Sequence, residues 1–526
     1  MANLRSGLLL ALAAVVTAFA TLPECVEAHR RGATAPRASR MPLSALNDAS
    51  RPGVHNCTEK FFAQRLDHFN FPPLSDPGVT TPLTYPQRYF TCLEHQFQPN
   101  GTIFYYTGNE ADVELFVNMT GLMWQNALEW GNVMLVFAEH RYFGKSLPFP
   151  DDAMPTGDKL KYLTTDQALA DYANHINHLR VSLNSPSSPV IGFGGSYGGM
   201  LCAWLRIKYP SALDGCIAGS APIVNFEHMV PPYPADAFAA IETLDASTAG
   251  GANDICKNNV RQVWQDMLAI AGETGGMSQL QHALQLCTPP TDTNDVWNLI
   301  NGASNAIGMM AMSSYPYPSA YLLLGGKGML PAYPMRVGCA FMNRTFVKPI
   351  DRVAAFGNFA NVYFNATQDL TCINASAAVN YATEVVDYLW GYLACTTMFM
   401  PFATTGVNDM FWAAPWNATA QKVSCFETYG VWPQADWIQV QYGGRGVSAW
   451  GSNIVFSNGQ LDPWRPGGIQ HVDKGSGDRN MRTVIIPDVG HHIDLMWNDP
   501  RDTVAIRGAR AMEASMIKRW IAGKQP

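Results

Sequence analysis

The chain has 526 residues, 47% of them hydrophobic and 15% charged, with a formal net charge of −7 at pH 7. That balance supplies a large buried core and exceeds one typical domain, and the lack of a basic block argues against nucleic acid as a partner. With 14 Trp and 35 Pro, the composition points to a loop-rich globular chain rather than a disordered one.

The chain opens with a positive residue, Arg5, a short uncharged apolar stretch over 8–20, and small residues in Val26-Glu27-Ala28. This is the pattern of a secretory signal peptide over 1–28. The stretch is too short to span a bilayer comfortably, and no second apolar run of that length follows, so no membrane span is expected. Cleavage after Ala28 removes Cys25 and leaves an even cysteine count, which suits a disulfide framework in an oxidising compartment. Sequons at Asn56, Asn100, Asn118, Asn343, Asn365, Asn374 and Asn417 favour a glycoprotein. Lysosomal and secreted proteins begin with the same leader, so both destinations stay open. Residues 29–55, rich in Arg, Pro, Ala and Ser, read as a flexible extension or propeptide.

Short apolar segments at 102–106, 133–137, 190–193, 215–218, 453–456 and 482–486 predict buried strands. A helical pattern starting at Thr165-Asp166 lies among the early ones. Near-continuous apolar strands alternating with helices predict an α/β fold with a mostly parallel sheet covered on both faces. The middle of the chain, 226–440, shows helical patterns, Pro-rich loops and Cys256, Cys287, Cys339, Cys372, Cys395 and Cys425. It reads as a mainly helical cap inserted between two parts of one sheet domain, 56–225 and 441–526.

Gly194-Gly195-Ser196-Tyr197-Gly198 follows the 190–193 strand and opens a helical stretch. Glycines two before and two after a serine allow the tight strand-to-helix turn that exposes a nucleophilic hydroxyl. Such a serine needs a base, itself oriented by an acid. Asp462 lies in the loop after the 453–456 strand, and His491 and His492 lie in the loop after 482–486, in the order Ser, Asp, His that α/β-hydrolases use. Asp488 and Asp494 rank below Asp462, because both sit too near the histidines to follow the preceding strand. The backbone N–H of Tyr197, with one from Thr107-Gly108-Asn109-Glu110 after the 102–106 strand, would form the oxyanion hole. No His-Glu-x-x-His and no closely spaced cysteine pair occurs, so neither a metal nor another cofactor is expected.

These residues resemble one family, the serine peptidases of lysosomal Pro-X carboxypeptidase and dipeptidyl peptidase II. The similarity is carried by 62–69 (Phe-Ala-Gln-Arg-Leu-Asp-His-Phe), 106–110, 138–148, 194–210, 457–464 (Ser-Asn-Gly-Gln-Leu-Asp-Pro-Trp) and 490–495, and covers about residue 57 onward. It implies an α/β-hydrolase with a helical cap, a triad of Ser196, Asp462 and His491, exopeptidase cleavage after proline, and a homodimer. Peptides with proline beside the scissile bond would be the substrates, and Met200, Met400 and Trp464 fall where the family lines its proline pocket. By correspondence Cys256 pairs with Cys339, Cys287 with Cys372 and Cys395 with Cys425. Cys57 and Cys92 remain as an extra pair, and Cys202 and Cys216 are expected as buried free thiols.

A further bridge of the carboxypeptidase branch is absent, its positions being Pro232 and Ala403, which tilts the resemblance toward release of N-terminal dipeptides. The stretch between Cys372 and Cys395 lacks the acidic insert of dipeptidyl peptidase II, and Ala111 replaces the family's usual glycine. Glu110 is then the candidate anchor for a substrate amine. The direction of attack stays open between a dipeptidyl peptidase and a Pro-X carboxypeptidase. An esterase or lipase, or a catalytically silent binding protein of hydrolase fold, are the other readings.

Overall fold

A computed structural model describes residues 51–71, 83–152, 154–323, 328–374, 384–472 and 479–523. The expected signal peptide over 1–28 and most of the expected 29–55 extension lie outside the described residues. By internal contacts the chain divides into two compact units. One is formed by 46–233, 392–400 and 433–526, and the other includes 234–391 and 401–432. Of the 226–440 stretch expected as a cap, 226–233, 392–400 and 433–440 fall in the first unit and the rest in the second.

The first unit is built on one eight-stranded sheet. Its strands are β1 (Cys57–Arg65), β2 (Thr84–Cys92), β3 (Thr102–Thr107), β4 (Val133–Ala138), β5 (Val190–Gly195), β6 (Gly215–Gly219), β7 (Ile454–Gly459) and β8 (Arg482–Ile486). They lie in the order β1-β2-β4-β3-β5-β6-β7-β8. From β4 to β8 every neighbouring pair is parallel, and β1–β2 and β2–β4 are antiparallel. Every residue of β3, β4, β5, β6 and β7 is buried. This explains their unbroken apolar sequences, since a strand covered on both faces has no solvent side to alternate with. The unit has the α/β-hydrolase architecture that the sequence predicts.

The antiparallel hairpin of β1 and β2 is not visible in the apolar pattern. β1 is an edge strand with most residues exposed or half-buried, so Thr58, Glu59, Lys60 and Gln64 interrupt its apolar content. Its first residue, Cys57, faces Cys92 in the register, and the two are joined by a disulfide.

Cys202 and Cys216, expected as free thiols, are instead disulfide-bonded. The helix Tyr197–Lys208 packs on β5 and β6. That packing brings the two Cα atoms to 6.0 Å, within reach of a bridge.

The other unit is mainly helical. Among its described residues are the helices Asp254–Ala271, Thr293–Met312 and Pro349–Phe364, and the remaining β pairing is confined to isolated bridges. Disulfides join Cys256 to Cys339 and Cys287 to Cys372, and Cys425 is also disulfide-bonded. Among the described residues no helix is long and apolar enough to cross a membrane.

Candidate active site

Because β5 to β8 run parallel, their carboxyl ends share one edge of the sheet, where ligand sites of open α/β sheets form. β5 delivers Ser196, β7 leads to Asp462, and β8 leads to His491. Ser196 sits between β5 and the helix Tyr197–Lys208 with φ 56° and ψ −127°, a conformation that L-residues adopt only when the surroundings enforce it. Its N–H donates to the Gly219 carbonyl of β6 at 2.9 Å. A Cβ at Gly194 would lie 2.1 Å from the Gly198 carbonyl oxygen, and one at Gly198 would lie 2.8 Å from the Thr107 carbonyl oxygen. The turn is therefore too tight for side chains at either flank.

Asp462 is fully buried and divides its carboxylate between two tasks. Oδ1 accepts the Trp464 N–H at 3.1 Å, a turn-capping bond. Oδ2 accepts from His491 Nδ1 at 2.8 Å, which fixes the tautomer and leaves Nε2 as the basic nitrogen. His491 is itself only 2% exposed.

The adjacent His492 has different surroundings. Its N–H donates to Ser220 Oγ at 2.8 Å, and its ring lies 2.9 Å from where a Cβ on Gly195 would stand. Burial, with the neighbouring His491, pushes its pKa well below the ordinary value and keeps the ring neutral. The histidine loop thus rests directly against the serine turn. Asp494 accepts from Ser457 Oγ at 2.7 Å, and the Asp488 N–H donates to Gln460 Oε1 at 3.0 Å, whereas the His491 ring bond goes to Asp462 and not to these rivals.

The expected oxyanion loop needs one correction. The Gly108 N–H donates to the Ala138 carbonyl at 3.0 Å, so it is committed to the β3–β4 junction and is removed from the set of oxyanion donors. The Gly108 carbonyl in turn accepts from Tyr172 Oη at 2.5 Å. Asn109 stays beside the serine turn, its Oδ1 3.0 Å from where a Cβ on Gly198 would stand. Tyr197 is the first residue of its helix, where backbone N–H groups carry the positive end of the dipole. Its hydroxyl is 3.1 Å from Nε2 of His140, whose pKa is lowered to about 4 by burial.

Glu110 follows Asn109. Its Oε2 is shielded from solvent without a hydrogen-bond partner among the described residues. Burial raises its pKa, against the opposing pull of the Asn109 side chain and of His491. Of the expected pocket residues, Met200 and Met400 are buried at 1% and 8% exposure, so Met200 offers substrate almost no surface. Trp464 stays half-buried. Among the sequons, Asn118 is also corrected. Its Oδ1 accepts the Val54 N–H at 3.0 Å and the side chain is buried, leaving no room for a glycan, whereas Asn56, Asn100, Asn343, Asn374 and Asn417 are exposed and Asn365 half-buried.

Sequence reasoning quoted two of the shared motifs without finding their role. Arg141 binds Asp171 through Nε at 2.7 Å and the Leu66 carbonyl at 2.9 Å. Asp171 also takes Tyr85 Oη at 2.7 Å and His68 Nε2 at 2.8 Å. The 62–69 and 138–148 stretches therefore meet in one buried ion-pair hub. The hint in the sequence was the charge embedded in otherwise apolar surroundings. Among the described residues no cluster of three or more His, Cys, Asp or Glu is arranged to hold a metal.

The sequence matches the model of a family described as serine carboxypeptidase S28 over residues 64–513. It is 38% identical over 464 residues to the lysosomal Pro-X carboxypeptidase of Bos taurus, covering 88% of each chain. It is 38% identical to that of Homo sapiens over 91% of this chain and 92% of the other. A Caenorhabditis elegans protein named prolyl carboxy peptidase like protein 5 is 34% identical over 86% of this chain and 89% of its own.

Proposed function

Because the chain belongs to the serine carboxypeptidase S28 family, and is thus a serine-type peptidase, we propose that it trims peptide ends beside proline, with Ser196 as nucleophile, His491 as base and Asp462 as the acid that orients it. The observation that carries this reading is the buried His491–Asp462 pair on the loop that packs against the serine turn. Ser196 Oγ attacks the carbonyl carbon of the proline while His491 Nε2 takes the hydroxyl proton. The amides of Tyr197 and Asn109 donate to the developing oxyanion. Collapse breaks the C–N bond, His491 protonates the leaving amine, and water then releases the acyl group by the same steps. Proline suits a rigid, apolar subsite because its ring is compact and conformationally fixed, and Trp464 with the edge of Met400 is the proposed wall.

The direction of trimming is proposed from the relatives. Proteins named Pro-X carboxypeptidase, at 38% identity over most of both chains, favour removal of a C-terminal residue that follows proline over the N-terminal dipeptide release expected from the sequence. Glu110 is the observation that keeps the second direction in play, since its Oε2 is shielded from solvent without a hydrogen-bond partner among the described residues, and a carboxyl so placed suits a substrate ammonium. One peptide with proline at both its second and penultimate positions, followed by mass spectrometry, separates them. Loss of the last residue supports the carboxypeptidase, loss of the first two supports the dipeptidyl peptidase, and an untouched peptide refutes both. The disulfides and the lysosomal relatives support a place in the secretory pathway, lysosomal or extracellular.

A further inference from the structure

The loop between β3 and the helix Glu114–Met119 is held from below by a buried cation. Arg88 on β2 has a fully buried side chain. Its Nε donates to Glu139 Oε1 at 3.1 Å, and its Nη1 donates to Glu114 Oε1 at 2.9 Å and to Glu59 Oε1 at 3.3 Å. Its Nη2 pairs with Asp112 and again with Glu139. Glu139, at the carboxyl end of β4, also takes the Val113 N–H at 3.1 Å, the Lys145 N–H at 2.8 Å, and the Ser146 N–H and Oγ at 2.9 Å each. The loop is therefore pinned at both ends on one strand terminus, at Gly108 by the Ala138 carbonyl and at Val113 by the Glu139 carboxylate. Asn109 to Asp112 arch between these pins, where Tyr106 Oη donates to Asn109 Oδ1 at 3.3 Å and Arg88 grips the far side of the arch through Asp112.

We propose that Arg88 is a positioning residue for catalysis: by gripping Asp112 and Glu114 from the Glu139 anchor, it sets the Asn109 amide at the distance from Ser196 that the tetrahedral oxyanion requires. The inference rests on the reading of Asn109 as an oxyanion donor. Such a donor works only when fixed before the charge develops, and a misplacement of about 1 Å can cost on the order of 100-fold in rate. A guanidinium suits the task because its planar fork bonds several carboxylates at once, which an ammonium cannot reproduce. Asp112 is 44% exposed and Glu114 19%, so the loop half of the clamp can be cut without stranding the buried Arg88–Glu139 pair.

The test is an Asp112→Asn, Glu114→Gln double variant, with Arg88→Lys beside it. Expected for the double variant is a fall in kcat on a prolyl peptide of about 10-fold to 100-fold with KM little changed and the thermal midpoint near that of the parent. The rate of Ser196 phosphonylation by a fluorophosphonate should fall in step, because that reagent also develops charge in the hole but needs no proline subsite. Arg88→Lys should lose rate in the same two assays. A folded double variant that keeps the parental kcat and phosphonylation rate overturns the clamp, as does a loss confined to the thermal midpoint. A parent enzyme that is phosphonylated on Ser196 yet cleaves no prolyl peptide would instead overturn the proposed substrate, leaving the phosphonylation arm to decide the clamp.

Discussion

Asp462 shows how one side chain joins a structural role to a chemical one. An asparagine there keeps an acceptor for the Trp464 N–H but loses the anion facing His491 Nδ1. Asp462→Asn should therefore lower kcat by about 10⁴-fold through the wrong imidazole tautomer, while the urea midpoint hardly moves. Asp462→Ala should lose the rate and also about 1 kcal/mol for the turn bond, a contrast that activity and denaturation curves read together. Ser196→Ala should remove about 10⁶-fold in kcat at unchanged stability, and retained turnover would refute the nucleophile. The candidate triad residues were legible because each follows a strand and their order is chemically meaningful. The commitment of the Gly108 N–H was not, because its acceptor, Ala138, lies on a neighbouring strand distant in sequence.

At the scale of elements, five of the six strands that were legible are buried throughout, and the sixth, β8, is half-buried but keeps an apolar end in Val484, Ile485 and Ile486. The β1–β2 hairpin escaped because an edge strand carries solvent-side charges such as Glu59 and Lys60. Its cross-link nonetheless closes a 35-residue separation, for which chain entropy gives about 4 kcal/mol. Cys57→Ala with Cys92→Ala should lower the unfolding free energy by up to that amount, measured by chemical denaturation, and a loss below 1 kcal/mol would mean the hairpin holds without it. The Cys202–Cys216 bridge was missed for a related reason. The packing of a helix on the strand that follows it decides thiol proximity, and sequence spacing does not carry it. In the turn itself, Gly194→Ala must push its methyl into the Gly198 carbonyl. It should cost about 1–3 kcal/mol and depress kcat together with stability.

For the whole molecule, the buried carboxyls set how stability responds to pH. Burial pushes Asp387 up to about 8, and it raises Glu242 and Glu513 well above the usual range, each with a further push from a nearby carboxylate, Asp409 and Asp494 respectively. A carboxyl raised on folding gives stability that is complete below its unfolded pKa, near 4, and declines as pH rises toward its folded value. For Asp387 that window runs from about 4 to about 8, with a slope of up to about 1.4 kcal/mol per pH unit. Asp171, Asp67 and Glu59 act oppositely, since their pKa values are lowered by hydrogen bonds and charges that outweigh burial, and their contribution is lost as pH falls below about 4. The urea midpoint of an Asp387→Asn variant should therefore gain on that of the parent between pH 5 and pH 8, and a difference between the two that does not change with pH would refute the Asp387 assignment. The composition could not reveal this, because a net charge of −7 counts every carboxyl as ionised.

The histidine loop is tied to the helix Val504–Ala522, where Arg510 donates to the carbonyls of Ile493, Asp494 and Trp497. During synthesis the ribosome releases Ser196 314 residues before that arginine. A nascent chain thus carries its nucleophile through most of translation with no base to activate it. The candidate serine and its candidate base can therefore meet only once the chain through His491 has been made, so the order of residues along the polypeptide sets when the proposed activity can begin.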